Sequence, residues 1–157
     1  DGRARPIVAK RVKKLAEKAK VIEPHSPGEM YRLLVASRET RAHGGVLLMC
    51  FAGLSINEAR AVDAENLRIL REGPMLEAQT IMKRTGERSG KMKTKNRNRT
   101  LPIHKEMAEE IVRIARTGPL CRTRAGKRSG EQSLSDGVLL AQHRAGLPAL
   151  TNHELRH

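Results

Sequence analysis

The residues best suited to phosphate chemistry lie in residues 151–157, Thr-Asn-His-Glu-Leu-Arg-His. Thr151 and Glu154 have the spacing of a helix capping box, which predicts a helix opening at this point. His153 and Arg156 are three residues apart and would share one face of its first turn, near the positive end of the helix dipole. Such a turn suits a phosphate group, whereas a solvent-facing basic turn is the alternative from these residues alone.

A second cationic group lies in residues 83–100, where eight Lys or Arg residues stand against the single acidic residue Glu87. The glycines and the polar composition predict a hairpin whose tip could bring one ammonium group to a phosphate or a leaving oxygen. Taken alone, charge of this kind serves to bind a nucleic-acid backbone. We assign backbone binding to Lys91, Lys95, Arg97, Arg99 and, at the last position of the sequence, His157.

A third group is Gly53-Leu-Ser55-Ile-Asn-Glu58. Gly53 predicts a left-handed stop to the preceding helix. Ser55 and Glu58 have the Ser-x-x-Glu spacing of a capping box, so local physical chemistry favours an N-cap and its partner over a catalytic pair.

The elements that would position these groups can be predicted from capping residues and hydrophobic periodicity. The predicted fold is α+β and mainly helical, with the helices around a small three-stranded antiparallel sheet. Along the chain, three helices come first, then the three strands, then two further helices. Residues 1–24 are a basic linker or arm, and residues 25–157 form one domain. The predicted helices cover 27–38, 42–52, 55–63, 104–116 and 134–145, and the strands lie near 67–69, 75–82 and 100–103.

The composition points to a polyanionic partner. The 157 residues carry 31 Lys+Arg against 17 Asp+Glu, a formal charge of +14, and only 1% aromatic residues. Binding to nucleic-acid phosphates accounts for such a charge. Recognition by stacking bases on aromatic rings, as in RRM or OB folds, is disfavoured because the chain has almost no aromatic side chains. No apolar run suits a membrane span and no secretory signal is present, so we expect a cytoplasmic address. Cys50 and Cys121 are expected to be reduced and structural.

The order of these motifs resembles the catalytic domain of the tyrosine recombinases, or phage integrases, over residues 26–157. The most specific matches are the run from Arg144-Ala-Gly-Leu to His153-Glu-Leu-Arg-His and, second, Lys93-Thr with Arg99-Thr-Leu-Pro-Ile. The resemblance implies DNA integration and recombination through a phosphotyrosyl intermediate, with no metal or nucleotide cofactor and no small-molecule substrate. It implies double-stranded DNA as the partner and a tetrameric synapse in the full-length protein.

The resemblance also implies a role for each matched residue. Arg156 would be the second catalytic arginine and His153 the histidine that together hold the non-bridging phosphate oxygens. Lys93, with Lys95 as the alternative register, would be the general acid toward the leaving 5′ oxygen. Glu58 matches a supporting acidic residue.

Two departures from the family pattern bear on activity. Ser55 stands where the family has its first catalytic arginine, and a serine cannot offer a bidentate cation to a phosphate. Arg60 lies five positions further along and about 140° round a helix, which makes it a poor substitute. The only tyrosine, Tyr31, matches a packing position and not the nucleophile. We therefore expect a catalytic-domain fragment that binds DNA and does not cleave it alone.

Two other interpretations remain open at this stage. A non-enzymatic basic nucleic-acid-binding protein would carry the three groups by coincidence and would bind RNA as tightly as DNA. A degenerate recombinase retained as an accessory DNA binder would account for Ser55 naturally.

Overall fold

The computed structural model describes residues 23–83, 85–89 and 99–156, with only the backbone of Arg156. Most of the predicted basic arm, the predicted hairpin tip and His157 lie outside these residues. So do four of the predicted site residues, namely Lys91, Lys93, Lys95 and Arg97.

Three short helices open the fold, and capping boxes fix the starts of the first and the third. Helix α1 (Pro27–Ser37) begins at Ser26, whose backbone N–H donates to Glu29 at 2.8 Å while its hydroxyl oxygen accepts from the backbone N–H of Glu29 at 3.4 Å. Helix α2 (His43–Val46) continues into a π-helical segment (Leu47–Phe51), and helix α3 (Ile56–Ala61) follows. The helix predicted over 42–52 is confirmed in extent, and its second half has the wider π form.

Helix α2 and the π-helical segment lie at the centre of the core, as the nearly continuous apolar run over residues 46–51 predicts. Of the two, helix α2 makes most of the contacts with other helices. It contacts α1 and α3, and also α4 (Lys105–Ile114) and α5 (Glu131–Arg144). Its two glycines allow this close packing, because other parts of the chain occupy the space where a Cβ would lie. The apolar side chains buried around it include Leu33, Val46, Leu48, Met49, Leu54, Leu76, Ile111, Leu120, Leu134 and Val138.

The predicted three-stranded antiparallel sheet is confirmed. It consists of β1 (Leu67–Leu70), β2 (Gly73–Ala78) and β5 (Arg99–Pro102), with β2 in the middle. Leu76 is fully buried and pairs with Leu67 on one side and Leu101 on the other. The sheet packs on α4 through β2, so the start of β5 is fixed relative to the helical core.

The structure corrects the predicted elements at three places. The second strand ends at Ala78, and β3 (Ile81–Met82) pairs instead with β4 (Arg88–Ser89) in a separate two-stranded sheet. Helix α5 begins at Glu131, three residues before the predicted start, because its first turn is polar and carries no apolar signal. The last predicted helix is a 3₁₀ turn (Glu154–Arg156). No helix among the described residues is long and apolar enough to cross a membrane.

The buried His43 should make the stability of the fold depend on pH. Its Nε2 lies 2.9 Å from Glu110 Oε1, its Nδ1 lies 2.8 Å from Ser37 Oγ, and Arg38 pairs with the same carboxylate. Burial lowers the pKa of His43 below its usual 6.5, more than the hydrogen bond to Glu110 raises it. Below about pH 6.5, His43 is protonated in the unfolded chain and stays neutral in the folded chain. The contribution of His43 to the free energy of unfolding is therefore complete above about pH 6.5 and falls as the pH drops toward the folded-state pKa.

We expect His43→Gln to reduce this loss. The measurement is the free energy of urea unfolding at several pH values between about 7.5 and 5.5, a range above the titration of the carboxylates. His104→Gln, on the surface, is the control and should follow the wild-type profile. Parallel profiles for His43→Gln and the wild type would contradict the prediction.

Candidate nucleic-acid interface

The turn that carries Ser55 is fixed from both sides. Gly53 has a positive φ of 63°, which confirms the predicted left-handed stop after the π-helical segment. Leu54 follows as a fully buried anchor, and its backbone N–H donates to the Leu48 carbonyl at 3.1 Å. Ser55 therefore has a defined place at the start of α3, half-buried at the surface.

Ser55 and Glu58 form the capping box that their spacing predicts. The Ser55 backbone N–H donates to Glu58 Oε2 at 2.7 Å, and the Ser55 hydroxyl oxygen accepts from the Glu58 backbone N–H at 3.4 Å. Glu58 is 1% exposed. One carboxylate oxygen of Glu58 is thus used to hold the backbone at Ser55, which makes Glu58 a positioning residue for this turn.

Arg99 lies against the same turn from the sheet side. Its Nη2 donates to the Gly53 carbonyl oxygen at 3.3 Å, across a sequence separation of 46 residues. Its Nε is buried and has no hydrogen-bond partner within the described part of the chain. The structure thereby brings one predicted DNA-binding cation next to the position where the family has an arginine and this chain has Ser55.

The His153 turn is held by α5 and by the core. The predicted capping box is present, with the Thr151 backbone N–H donating to Glu154 Oε2 at 2.7 Å. The side-chain amide of Gln142 bonds both backbone groups of Leu150, at 2.6 and 3.0 Å. His153 itself is exposed.

This turn also packs on the π-helical segment, whose chain leads directly into Gly53 and Ser55. The buried Leu155 anchors it there. Ser55, Arg99 and His153 are therefore presented by elements that meet around the end of one segment. The side chain of Arg156 lies outside what the structure describes, so the predicted pairing of His153 and Arg156 on one face stays a prediction.

Arg60 has a structural position, in agreement with the prediction that it is a poor substitute for an arginine at position 55. It is 6% exposed, and its Nε donates to the Ser129 carbonyl at 3.1 Å. Its Nη1 donates to Asn57 Oδ1 at 2.9 Å and lies 3.7 Å from Glu131 Oε2. These contacts tie α3 to the start of α5.

An ionic network around Asp63 was not predicted from the sequence. Asp63 pairs with Arg88 of β4 and with Arg128, and these two arginines also donate to the carbonyls of Ala61 and Arg60. Burial alone would raise the pKa of Asp63, but hydrogen bonds from the two guanidinium groups lower it below its usual value. The network holds the β3–β4 hairpin and the residue 122–128 loop against the end of α3.

Neither cysteine provides a reactive thiolate. Burial raises the pKa of Cys50 and of Cys121 to about 12, so both thiols stay protonated, and neither forms a disulfide. Across residues 23–83, 85–89 and 99–156, no cluster of three His, Cys, Asp or Glu side chains is arranged to hold a metal ion.

Comparison with known proteins shows what this fold resembles. No protein-family model matches the sequence, and no curated protein does. A solved structure, the crystal structure of XerA recombinase, is similar in fold, with a TM-score of 0.62 and 14% sequence identity. The similarity covers 90% of this chain and 49% of the XerA chain, so the chain spans about half the length of that protein. At this identity, the finding is that the chain has a recombinase-like fold.

Proposed function

We propose that this chain is a DNA-binding part of the catalytic domain of a site-specific tyrosine recombinase. The fold similarity to XerA recombinase over 90% of the chain carries the proposal. The meeting of Ser55, Arg99 and the His153 turn around the π-helical segment supports it, because these positions match the family motifs in the sequence. Double-stranded DNA is the proposed partner, and a tetrameric synapse is the proposed assembly of the full-length protein.

In this proposal the phosphate is bound by charge and hydrogen bonds at the His153 turn. His153 and Arg156 would donate to the non-bridging oxygens, and Lys93, or Lys95, would give a proton to the leaving 5′ oxygen. Arg99 would add a guanidinium beside Ser55, where the family arginine is lacking. Preorganised donors of this kind stabilise the charge of a phosphoryl-transfer transition state. Backbone contacts from Lys91, Arg97 and His157 would complete the interface.

Strand cleavage further needs a tyrosine hydroxyl that attacks the scissile phosphate and displaces the 5′ oxygen. Tyr31, the only tyrosine among the 157 residues, is 66% exposed on α1. This exposure corrects the expectation that position 31 serves packing. We propose that Tyr31 is not the nucleophile, since it matches no nucleophile position of the family. With Ser55 in place of the first arginine as well, we expect these 157 residues to form no covalent adduct with supercoiled DNA. An adduct band that survives denaturing electrophoresis would contradict this expectation.

The DNA-binding part of the proposal predicts a large effect at the His153 turn. We expect His153→Ala with Arg156→Ala to weaken duplex DNA binding at least about tenfold, since charged hydrogen bonds contribute roughly 1.5–3 kcal/mol each. The measurement is fluorescence anisotropy over a salt series, on duplex DNA and on duplex RNA of the same length. Wild-type affinity should fall steeply with salt and should be higher for DNA.

The matched control for this variant is His143→Ala with Arg144→Ala, which removes the same two residue types from an exposed part of α5. It should lose much less affinity than the His153 variant. Equal losses in the two variants, together with equal affinity for DNA and RNA, would favour the alternative of a non-enzymatic polyanion binder.

A further inference from the structure

A second cationic surface lies away from the proposed interface, in a cleft of about 780 Å³. The end of α1, the start of α2, the last part of α4 and the residue 120–126 loop line it. We call it the arginine cleft. Its charged lining residues are the arginines Arg38, Arg41, Arg113, Arg122 and Arg124 and one acid, Glu110, and the buried His43 also lines it.

The single acid of the arginine cleft is already shared by several cations. Glu110 Oε1 accepts from Arg38 Nε at 3.0 Å and lies 2.9 Å from His43 Nε2, and Glu110 Oε2 accepts from Arg113 Nη1 at 3.0 Å. Burial would raise the pKa of Glu110, but these partners lower it, so the carboxylate is ionised at neutral pH. Five guanidinium groups against one carboxylate leave the cleft strongly positive.

Some of these arginines are held in place and others have free donors. Glu110 anchors Arg38 and Arg113, and the Ile114 carbonyl anchors Arg122. Arg41 and Arg124 are exposed and form no hydrogen bond or ion pair with any residue that the structure describes. Arg124 stands on a tight loop closed by the Gly126 N–H bond to the Thr123 carbonyl at 3.0 Å. Anchored and free guanidinium groups thus border one cleft.

The arginine cleft and the His153 turn lie toward opposite ends of α1. His25, next to the N-terminal end of that helix, lines a small cavity together with Glu154 and Leu155. Arg38, at the other end, lines the arginine cleft. The 11 residues of α1 extend about 16 Å at 1.5 Å per residue. No residue lining the arginine cleft belongs to the proposed interface.

We propose that the arginine cleft binds the phosphate backbone of a second DNA duplex, so that one chain holds two DNA segments. Guanidinium groups bind phosphate oxygens with bidentate geometry, which carboxylate-rich or lysine-only surfaces do not offer. The lining contains no Phe, Tyr or Trp, and the ring of His43 is buried, so unpaired bases have no exposed ring to stack on and contact with a duplex backbone is favoured. This proposal rests on the proposed function only for the identity of the first duplex.

The test counts duplexes on the chain by native mass spectrometry. The probe is a duplex of about 12 base pairs, little more than one helical turn and roughly 40 Å long. Since one such duplex is long enough to reach both surfaces, a wild-type count of one that both the cleft variant and the interface variant reduce would indicate a single duplex across the two surfaces and would overturn the proposal. Three double variants are compared with the wild type. Arg41→Ala with Arg124→Ala changes the arginine cleft, His153→Ala with Arg156→Ala changes the proposed interface, and Arg32→Ala with Arg71→Ala removes two exposed arginines outside both.

We expect two duplexes on the wild type and on the Arg32/Arg71 control, and one on each of the other two variants. If the chain binds a single duplex that only the Arg41/Arg124 variant loses, DNA binding by the cleft stands, whereas the holding of two duplexes by one chain and the proposed function both fail. If the Arg41/Arg124 variant binds duplexes as the control does, the cleft proposal is overturned.

Two competition arms identify the ligand of the cleft. Tripolyphosphate tests for a free phosphate ligand, and a poly-glutamate peptide tests for an acidic protein segment. The proposal expects neither to displace the second duplex at an equal concentration of negative charge, because neither has the spacing of a duplex backbone. Displacement of the second duplex from the wild type by either one would overturn DNA as the ligand.

Discussion

Replacing Gly44 by alanine is expected to destabilise the fold more than any surface change. A Cβ at this position would lie 2.3 Å from the backbone oxygen of Leu120 and 2.8 Å from its carbonyl carbon. Because these atoms belong to the backbone next to the buried Cys121, they cannot move aside cheaply. Overpacking of this kind costs about 3 kcal/mol of unfolding free energy. Urea unfolding followed by circular dichroism measures it.

Gly28→Ala is the matched control for Gly44→Ala. A Cβ at Gly28 would meet nothing within 4 Å, and alanine is the better helix former. The stability of this variant should equal or slightly exceed that of the wild type. If Gly44→Ala unfolded at the same urea concentration as Gly28→Ala, the close approach of α2 to Leu120 described above would be wrong.

Asp63→Ala is the second change with a large expected effect. The substitution leaves the guanidinium groups of Arg88 and Arg128 without their shared carboxylate, and Arg128 is partly buried. We expect a loss of about 2 kcal/mol, less than for a fully buried pair because Arg88 is partly solvated. Since the pKa of Asp63 is lowered in the folded state, its contribution is present above about pH 4 and is lost as the pH falls through the folded-state pKa.

Glu106→Ala is the control for Asp63→Ala. Glu106 lies near His104 at the exposed start of α4, with a nitrogen to oxygen distance of 3.4 Å. Exposed pairs contribute little, so its unfolding should match that of the wild type. An Asp63→Ala variant as stable as Glu106→Ala at neutral pH would show that the network around Asp63 adds nothing to the fold.

The features that could be predicted from the sequence depend on near neighbours. The three capping boxes, at Ser26, Ser55 and Thr151, are visible because a Ser or Thr and a Glu three residues later satisfy each other's backbone groups. Gly53 was predicted as a left-handed stop, and its φ is positive. The three-stranded sheet was predictable because its strands alternate or carry apolar residues over at least four positions.

The features that could not be predicted depend on distant parts of the chain. Arg60 bonds Ser129, and Arg128 reaches back to Asp63, over separations of more than 60 residues that no local pattern encodes. The β3–β4 hairpin has strands of two residues, too short for a periodic signal. The arginine cleft combines residues from three regions of the sequence. Nothing local distinguishes its arginines from the other Lys and Arg residues, 31 in all, so the cleft could not be predicted.

The candidate site was predictable in part for the same reason. The Ser55 and His153 turns could be located individually through their capping boxes, whereas their approach to a common segment is a tertiary property. The contact between Arg99 and the Gly53 carbonyl likewise joins residues far apart in sequence. Sequence matching assigned Arg99 to general backbone binding, and the fold brings its guanidinium to the Gly53 carbonyl, two residues before Ser55.

The most direct test of the account is to map DNA on the protein by NMR. A short duplex is added to the ¹⁵N-labelled chain in steps, and the backbone amide signals are followed. The account predicts that the first duplex shifts the signals of Gly53–Ser55, Arg99–Thr100 and Thr151–Arg156 together. If these signals stay unmoved while duplex DNA binds elsewhere, the proposed recombinase-like DNA interface is contradicted.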